Sequence, residues 1–317
     1  MKKSLFALML LSLFARADNW NMATPYPDNE FHEENIKQFI AEVKTATDGK
    51  VDITLHSGAS LYKAPEIFKA VRSNQVQLGE LLLSSLGNDD PLFQLDTIPF
   101  LATDYAAAQK LWTVSREAVS AALEKKGVVL LYTTPWPGQN FYTKGEVADA
   151  SYFSGKKMRA YNAMTSAIAA HLGAAPTTVE VPDIAQAFST GQIDAMMTSS
   201  ATGANSQAWD FVGNYTRVNA WYPKNMIFIN KKVWDKLDDA TKTAIRGAAE
   251  AAERRGWQMS ADVNDANEKI LADNGMKVAA ASEALAAELG KVRDKMVEEW
   301  LQSAGDAGKA ILDRYRE

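Results

Sequence analysis

Apolar and polar residues along the chain alternate with two different periods, the two-residue repeat of strands and the 3.6-residue repeat of helices. Residues 51–55 read Val-Asp-Ile-Thr-Leu and predict a strand with one exposed face, whereas the almost wholly apolar run 76–83 predicts a strand buried on both faces. Further strands are predicted at 20–24 and 128–132, and helices at about 29–47, 65–72 and 105–125. This βαβα order predicts an α/β fold with helices on both faces of a mostly parallel sheet.

The same rhythm starts again after the segment Pro135-Trp136-Pro137-Gly138. It predicts strands at 141–143, 157–161, 177–181, 195–198, 216–221 and 226–230, with helices at 165–172 and 184–189. We therefore expect a second α/β lobe that begins near Gln139. We also expect the strand at 226–230 to carry the chain back to the first lobe.

Asp238 and Asp239 open the longest helical pattern of the chain, and Asn274-Gly275 provides its C-terminal cap. About 36 residues at a rise of 1.5 Å give a helix of roughly 54 Å, which is longer than one lobe is wide. Such a helix either spans both lobes or breaks near Gly247 or Gly256. The Ala-rich stretches 248–252 and 279–287 are interpreted as closely packed helix faces.

These elements divide the chain into two lobes. Lobe I is predicted to comprise 18–138 plus about 226–268, and lobe II 139–225 plus about 269–317. No Gly/Ser-rich or Pro-rich linker separates them in the sequence. We therefore expect several chain crossings and hinge closure over a cleft, because a single flexible linker would instead join two independent units.

The first 17 residues have the features of a secretory signal peptide. Lys2 and Lys3 form a basic start, residues 5–14 are apolar, and residues 15–17 read Ala-Arg-Ala, the small-x-small pattern of a cleavage site. The apolar part is too short to span a bilayer, which takes about 20 residues. We expect export, cleavage before Asp18 and a mature protein in the periplasm that is not embedded in the membrane. The alternative is a buried N-terminal helix.

Composition and charge limit the classes of ligand. The 317 residues include no cysteine and three histidines, which excludes disulfides and thiol chemistry and argues against a zinc site. The formal net charge is -5, and it becomes -8 without the leader, where 31 Lys and Arg face 39 Asp and Glu. Such a charge disfavours nucleic acid and anionic lipid. An anionic ligand would therefore have to be attracted by a local, partly buried cation.

Residues 157–162 read Lys-Met-Arg-Ala-Tyr-Asn and place one arginine in a predicted strand of lobe II. The planar guanidinium of Arg159 can meet a carboxylate through two charge-assisted hydrogen bonds, which give orientation as well as attraction. When sheltered from water, such a pair contributes roughly 2 to 5 kcal/mol to discrimination against an uncharged analogue. The residues alone leave open that Arg159 lies at the surface or pairs with a neighbouring Asp or Glu.

Several segments, taken in their order, resemble one family of binding proteins. They are 23–32 (Ala-Thr-Pro-Tyr-Pro-Asp-Asn-Glu-Phe-His), 58–62 (Gly-Ala-Ser-Leu-Tyr), 99–101 (Pro-Phe-Leu), the Met158-Arg159 pair and the one long helix. They are similar to segments of the extracytoplasmic solute-binding proteins of tripartite ATP-independent periplasmic (TRAP) transporters, of the DctP type. The resemblance covers essentially the whole mature chain.

This resemblance implies a fold, a ligand and a partner. It implies a two-lobe, periplasmic-binding-protein-like α/β fold with multiple crossovers and one long helix spanning both lobes. It also implies that the lobes close on an organic acid anion, whose carboxylate is gripped by Arg159, and that the acid is delivered to a membrane-embedded TRAP permease driven by an ion gradient. We expect no cofactor, no metal and no nucleic-acid partner, and we expect a monomer.

Many relatives carry a second arginine in the segment matching 136–142, where this chain has Gln139 and Asn140. A dicarboxylate gripped at both ends therefore fits poorly, and a monocarboxylate such as a sugar acid, a hydroxy acid or an aromatic acid fits better. Further cleft-lining side chains are expected beyond strand ends, where open α/β sheets bind ligands. The ligand-binding candidates are Arg159, Tyr161, Asn162, Tyr26, Asn29, His32, Glu80, Ser84, Trp136, Gln139, Thr198, Ser199, Trp221 and Asn225.

Several of these candidates have an equally ordinary structural interpretation. The tryptophans can belong to a core, His32 can bond to the start of its helix, and Ser199 can cap the helix that follows it. Glu80 lies inside an apolar run, where a carboxylate needs a partner. That partner is either the hydroxyl groups of a ligand or a neighbouring lysine or arginine.

Catalytic motifs are incomplete throughout the sequence. Ser60 and Lys63 match S-x-x-K, but the Ser-Asp-Asn and Lys-Thr-Gly motifs that should accompany it are missing. His32 and Glu33 begin an H-E-x-x-H pattern, yet Ile36 stands where the second histidine should be. The alternative function is a secreted hydrolase or lyase that acts on a small organic acid, with Glu80 or His32 as the base. We expect a binding protein and no enzyme.

Overall fold

The computed structural model describes residues 18–317, and the predicted leader at 1–17 lies outside the described residues. The strands are β1 (Asp18–Ala23), β2 (Val51–His56), β3 (Leu78–Leu82), β4 (Val128–Pro135), β5 (Asn140–Thr143), β6 (Lys157–Ala160), β7 (Ala175–Thr178), β8 (Ala195–Thr198), β9 (Asn214–Arg217), β10 (Lys224–Asn230) and β11 (Lys277–Ala280). They form two separate sheets of mixed direction.

Helices follow most of the strands, as the alternating sequence pattern predicts. They are α1 (Phe31–Ala46), α2 (Ala64–Arg72), α3 (Tyr105–Lys125), α4 (Ala163–His171), α5 (Ile184–Ser189), α6 (Ser200–Asn205), α7 (Lys231–Asp235), α8 (Asp239–Asp273) and α9 (Glu283–Arg316). Short 3₁₀ turns lie at Leu83–Leu86, Pro91–Thr97, Ala150–Phe153, Val181–Asp183 and Ala208–Asp210. Within residues 18–317, no helix combines the length and the apolar character that crossing a bilayer requires.

The first sheet has the strand order β2-β1-β3-β10-β4, in which only β10 runs against its neighbours. One face packs against α1 and α8 through residues such as Phe39 and Ala252, and the other packs against α2 and α3 through residues such as Val71 and Leu123. Burial on both faces explains the consecutive apolar residues of β10 at 226–229 and of β3 at 81–82.

The second sheet has the order β11-β9-β5-β8-β6-β7, and here β5 is the strand that runs against both neighbours. Its core on one side includes residues of α4 and α9, such as Ile168 and Leu289. On the other side α5 and the end of α8 pack against it, through residues such as Phe188 and Leu271. Each sheet thus contains one strand that is antiparallel to its neighbours, β10 in the first and β5 in the second. The chain enters each of these strands from the other sheet, from β9 into β10 and from β4 into β5.

The chain passes between the sheets through two extended connections that hydrogen-bond to each other. Residues 136–139 lead from β4 to β5, and residues 218–223 lead from β9 to β10. The bonds run from Trp136 N to the carbonyl oxygen of Pro223 (2.8 Å), from Gln139 N to that of Trp221 (3.0 Å) and from Ala220 N to that of Gln139 (3.0 Å). We propose that the two predicted lobes divide at these crossings.

Asn140 and Gly138 let the two crossings approach. The Oδ1 of Asn140 accepts hydrogen bonds from the backbone of Val218 (2.7 Å) and Asn219 (2.8 Å). A Cβ atom at Gly138 would lie 2.7 Å from the Oδ1 of Asn219, so a larger residue would push the crossings apart. Asn140 therefore has a structural role at a position where the sequence comparison with relatives suggested only a missing arginine.

Helix α8 supplies a third connection and runs without a break over 35 residues. Ile245 near its start packs into the core of the first sheet, whereas Leu271 near its end belongs to the core of the second. The expected helix spanning both lobes is present, and it is broken neither at Gly247 nor at Gly256. Gly256 instead permits close packing, because a Cβ there would lie 2.5 Å from Oγ1 of Thr134 on β4.

Several predicted boundaries differ from the structure, and three of these differences have an identifiable cause. The strand predicted at 216–221 ends at Arg217, because the next residues bond to the other crossing and not to a sheet. The strand predicted at 177–181 lies at Ala175–Thr178, where it pairs with β6, and Pro182 follows in a 3₁₀ turn. The stretch 279–287 was interpreted as a helix face, but its first two residues end β11 and the helix starts at Glu283.

The contrast between Gly256 and Gly247 gives a test of helix packing. We expect Gly256→Ala to lower the free energy of unfolding by about 1 to 3 kcal/mol, because the methyl group would overlap Thr134 in a closely packed contact. Gly247→Ala on the same helix meets no atom within 4 Å and should raise stability by up to about 1 kcal/mol through helix propensity. Thermal unfolding of both variants measures the difference. Equal melting temperatures would contradict the packing role of Gly256.

Candidate ligand-binding site

A cavity of about 660 Å³, partly open to solvent, lies where strands of the two sheets end. Its walls come from the segments that follow β1, β3, β6, β7 and β8 and from both crossings. The lining residues are Pro25, Tyr26, Ala64, Leu81, Leu82, Ser85, Trp136, Gln139, Arg159, Tyr161, Glu180, Val181, Pro182, Thr198, Ser199, Thr202 and Pro223. Position beyond strand ends is the usual place of ligand sites in open α/β sheets.

Arg159 is the only cationic side chain among the described residues that line this cavity. Strand β6 places it between β7 and β8, and only 2% of the residue is exposed. Its Nε donates a hydrogen bond to the carbonyl oxygen of Val179 (2.9 Å), and the guanidinium lies over the ring of Tyr161 at 5.1 Å. Burial lowers the pKa of Arg159, and the nearby Tyr161 and Glu180 oppose that shift.

No carboxylate among residues 18–317 forms an ion pair with Arg159. The structure therefore favours neither ordinary interpretation of this arginine, since it is buried and since no Asp or Glu neutralises it. A buried charge without a partner carries a large desolvation cost, which an anionic ligand can offset. The arrangement is typical of a site for a carboxylate.

Tyr161 and Gln139 are held in fixed orientations beside Arg159. The hydroxyl of Tyr161 donates to Oε1 of Gln139 (3.1 Å), and Nε2 of Gln139 donates to the carbonyl oxygen of Pro137 (2.9 Å). Burial raises the pKa of Tyr161, so this hydroxyl keeps its proton. The amide of Gln139 is consequently engaged on both sides, and it fixes the ring of Tyr161 against the first crossing.

Tyr26 and Trp136 form an aromatic wall, with their ring centroids 5.2 Å apart. Asn225 fixes both side chains, since its Oδ1 accepts hydrogen bonds from Trp136 Nε1 (2.9 Å) and from the hydroxyl of Tyr26 (3.3 Å). Its Nδ2 donates to Oε1 of Glu80 (2.8 Å). Asn225 and Glu80 therefore lie behind the cavity wall and position the groups that form it.

Glu80 has a partner that neither sequence interpretation anticipated. The hydroxyl oxygen of Thr24 lies 2.5 Å from Oε2 of Glu80 and 2.5 Å from Oε1 of Glu33 on α1. One hydroxyl proton cannot serve two carboxylates, so one of the two acids must itself carry a proton and donate it. Burial and the charge of Glu80 raise the pKa of Glu33, and burial also raises that of Glu80. This proton is shared beneath the aromatic wall.

Two hydrogen bonds join segments of the first sheet to segments of the second at the edges of the cleft. Nδ2 of Asn162 donates to Oγ of Ser84 (2.8 Å), and Nδ2 of Asn205 donates to Oε2 of Glu30 (2.8 Å). Ser84 follows β3 and Glu30 caps α1, whereas Asn162 follows β6 and Asn205 ends α6. We call these two contacts the rim bonds.

The predicted site residues fall into three groups. Those that line the cavity are Tyr26, Trp136, Gln139, Arg159, Tyr161, Thr198 and Ser199. Ser84 and Asn162 line an adjoining open cavity of about 1150 Å³. Those that do not line the main cavity are Asn29, His32, Glu80, Trp221 and Asn225.

The residues of the third group have identifiable surroundings. Asn29 is exposed in the turn before α1. His32 is buried with its ring 4.2 Å from that of Trp136, and burial lowers its pKa to about 3, so the ring is neutral. Trp221 is buried in the core of the second sheet. Ser199 caps α6 by accepting a hydrogen bond from Thr202 N (3.0 Å), and it lines the cavity as well.

Sequence reasoning missed Glu180, together with Pro25, Ala64, Leu81, Leu82, Ser85, Val181, Pro182, Thr202 and Pro223. Glu180 was missed because the strand predicted at 177–181 placed this residue inside a sheet. The proline at 182 was the available signal, because a proline within a sheet is confined to edge strands, strand starts and bulges. The apolar residues Leu81 and Leu82 carry no signal that separates cavity wall from core.

The chain matches the family described as bacterial extracellular solute-binding protein, family 7, over residues 22–303. Its structure is similar to DctP7 of Bordetella pertussis, an extracytoplasmic solute receptor binding pyroglutamic acid, with 43% identity and a TM-score of 0.93; the match covers 95% of this chain and 100% of that one. It is also similar to DctP6 of the same organism, which binds the same acid, with 41% identity, 94% and 99% coverage and a TM-score of 0.92.

A third similar structure is a TRAP solute-binding protein of an unidentified marine microbe, specific for pyroglutamate and solved with that acid bound. The two chains are 39% identical with a TM-score of 0.92, and the match covers 95% of this chain and 99% of the other. All three relatives thus extend over nearly the whole described chain.

The shared proton between Glu33 and Glu80 makes stability depend on pH. Because the pKa of Glu33 is raised above its ordinary value near 4.5, the folded state binds more protons than the unfolded state, and stability falls as pH rises above that value. Glu33→Gln imitates the protonated acid and should gain stability relative to the parent protein, by up to about 1.4 kcal/mol per pH unit above pH 4.5.

Chemical denaturation at about pH 5 and about pH 9 measures this gain. Glu34→Gln is the matched control, because Glu34 is the exposed neighbour on the same helix. The stability difference between Glu34→Gln and the parent protein should not grow as pH rises, as that of Glu33→Gln does. A stability difference for Glu33→Gln that is constant with pH would contradict the shared proton.

Proposed function

Because the chain belongs to the bacterial extracellular solute-binding protein family 7, we propose that it captures pyroglutamate, with the carboxylate of the acid bound to Arg159. Proteins of this family are substrate-binding receptors of transporters and not enzymes. The chain is accordingly a solute-binding protein for an organic acid anion, and the alternative of a secreted hydrolase or lyase gains no support.

The single observation that carries the proposal is the buried guanidinium of Arg159 without an ion-pair partner among the described residues. Its Nε is engaged by the backbone of Val179, which leaves the two terminal nitrogens as the fork that a carboxylate matches. The cavity holds no second cation from the described chain. One carboxylate per ligand therefore fits the charge of the site, in agreement with the expectation of a monocarboxylate.

Pyroglutamate meets the remaining features of the cavity. Its five-membered ring is compact and apolar on both faces, which suits the wall formed by Tyr26 and Trp136 and the side chains of Leu81 and Leu82. Its lactam group can exchange hydrogen bonds with the polar residues at the ends of β6 and β8. Three relatives that bind this acid are 39% to 43% identical to the chain over almost its full length.

Family membership also bears on compartment and partner. The family is extracytoplasmic and works with TRAP permease components, which transport the acid that the receptor delivers. We propose that residues 1–17 are the cleavable export signal and that the mature protein acts as a monomer in the periplasm. Delivery requires release, so the cleft must open and close, and the paired crossings are the natural hinge.

The role of Arg159 predicts a loss of affinity on substitution. Arg159→Ala should bind pyroglutamate at least tenfold more weakly, a loss of about 1.4 kcal/mol or more, because the carboxylate loses its charged partner. Arg159→Lys keeps the positive charge but loses the planar, two-pronged guanidinium, so its affinity should lie between those of the parent protein and Arg159→Ala. Isothermal titration calorimetry measures the affinities.

Arg293→Ala is the control for net charge, because Arg293 lies on α9 and does not line the cavity. Thermal unfolding without ligand shows whether each variant is folded. If folded Arg159→Ala binds pyroglutamate as tightly as the parent protein does, the assigned role is wrong. If the parent protein binds other organic acids but not pyroglutamate, the ligand is wrong and the anchor is tested with the acid that binds.

The rim bonds predict the rate of ligand release. A hydrogen bond between neutral groups contributes about 0.5 to 1.5 kcal/mol, and one to a carboxylate about 1.5 to 3 kcal/mol. If each bond forms only in the closed form, removing the one at Ser84 should speed dissociation by roughly 2 to 12-fold, and removing the one from Asn205 to the carboxyl group of Glu30 should speed it more. Ser84→Ala and Asn205→Ala remove them one at a time without touching the cap that Asn162 provides for α4. Stopped-flow measurement of ligand dissociation tests this. An unchanged dissociation rate in the double variant would contradict it.

A further inference from the structure

We propose that Glu180 is a specificity residue that selects ligands carrying an N–H group beside the carboxylate held by Arg159. This inference rests on the proposed function, because it takes the carboxylate to be bound at Arg159. It adds a second recognition point, which the family match and the relatives do not assign to any residue of this chain.

The backbone links Glu180 to Arg159 directly. The carbonyl oxygen of Val179 accepts the hydrogen bond from Nε of Arg159 (2.9 Å), and Val179 N in turn donates to the carbonyl oxygen of Ala160 (3.1 Å). Glu180 is the next residue and lines the same cavity. The segment Val179-Glu180 therefore both orients the guanidinium of Arg159, through the carbonyl of Val179, and positions the acidic residue Glu180.

Glu180 is an exposed residue that lines both the main cavity and the adjoining open cavity. Burial lowers the pKa of Arg159 on β6 and raises that of Tyr26, which follows β1 across the cavity; the charge of Glu180 opposes the first shift and adds a small part to the second. The segment it begins, the 3₁₀ turn Val181–Asp183, receives no cap from its side chain. Among residues 18–317, Glu180 forms no ion pair, so its carboxylate is not committed to a structural partner.

Arg159 and Glu180 carry opposite charges in one cavity but do not pair, since their charged atoms are more than 4 Å apart. A ligand bound between them must offer an anion to Arg159 and a hydrogen-bond donor to Glu180. A second carboxylate or a ring oxygen at that point would face a negative charge and lose affinity. The lactam N–H of pyroglutamate lies one bond from the carbon that bears its carboxylate, and it supplies such a donor.

The other polar side chains of the cavity cannot make this distinction. Six lining residues carry hydroxyl groups, which accept as readily as they donate: Tyr26, Ser85, Tyr161, Thr198, Ser199 and Thr202. The amide of Gln139 is engaged by Tyr161 and by the backbone. Among the described lining residues, Glu180 alone has a side chain that can only accept when ionised.

The test compares pyroglutamate with its lactone analogue, 5-oxotetrahydrofuran-2-carboxylate, in which an oxygen replaces the N–H group. The parent protein should bind the lactam about tenfold more tightly than the lactone, because a donor to a carboxylate is lost and an oxygen faces it instead. Glu180→Ala should reduce this ratio to about twofold or less, chiefly by weakening the lactam. Calorimetric titration of both acids gives the ratio for each variant.

Asp183→Ala is the matched control, because Asp183 lies on the same short turn, is exposed and does not line the cavity. It removes one negative charge as Glu180→Ala does, so its lactam-to-lactone ratio should equal that of the parent protein. Glu180→Gln retains a carbonyl acceptor and should give an intermediate ratio.

The outcomes separate this inference from the function on which it rests. If the parent protein binds neither acid, the proposed ligand is wrong and the role of Glu180 falls with it. If the parent protein binds both acids equally well, or if Glu180→Ala keeps the parent ratio, pyroglutamate binding stands and the inference about Glu180 is overturned. If Asp183→Ala reduces the ratio as much as Glu180→Ala does, the effect is one of net charge and the inference is again overturned.

Discussion

The buried, unpaired charge of Arg159 is the constraint on which the rest of the site depends. Removing a guanidinium from water is costly, and the protein offsets this cost only in part, through one hydrogen bond to Val179 and the face of the Tyr161 ring. The remaining hydrogen-bond donors are satisfied when an anion occupies the cavity. The buried cation therefore favours a carboxylate ligand, in keeping with membership of a family of solute-binding proteins.

Two layers of polar contacts keep this charge in place. The crossings carry Trp136 and Gln139 into the cavity wall, and they are joined to each other by backbone hydrogen bonds and by Asn140. Behind the wall, Asn225 ties Tyr26 and Trp136 to the acid pair. A movement of one lobe about the crossings would thus be transmitted to the aromatic wall, because Trp136 belongs both to a crossing and to the wall.

The alternation of strands and helices was predictable, because each element is amphipathic or wholly apolar in its own stretch of sequence. The pattern predicted α3 with its observed bounds, α8 within a residue or two, and the central position of Arg159 on a strand of the second sheet. The position of Glu180 was not predictable in this way, since its strand stops two or three residues earlier than its β-forming residues suggest. The roles of Asn225 and Glu80 depend on neighbours that lie 145 residues apart in the chain, and a local pattern carries no information about such pairs.

The excess of acidic residues and the preference for an anion are compatible because they act over different distances. Charges at the surface are screened within about 8 Å at physiological ionic strength, whereas buried charges such as that of Arg159 are screened much less. The overall field therefore has little influence on a bound acid, and the local cation dominates. With Glu180 in the same cavity, the described lining residues carry one positive and one negative charge and give it no net charge. Recognition then cannot rest on the sum of charges, and it must rest on where the ligand places its carboxylate and its donor relative to these two residues.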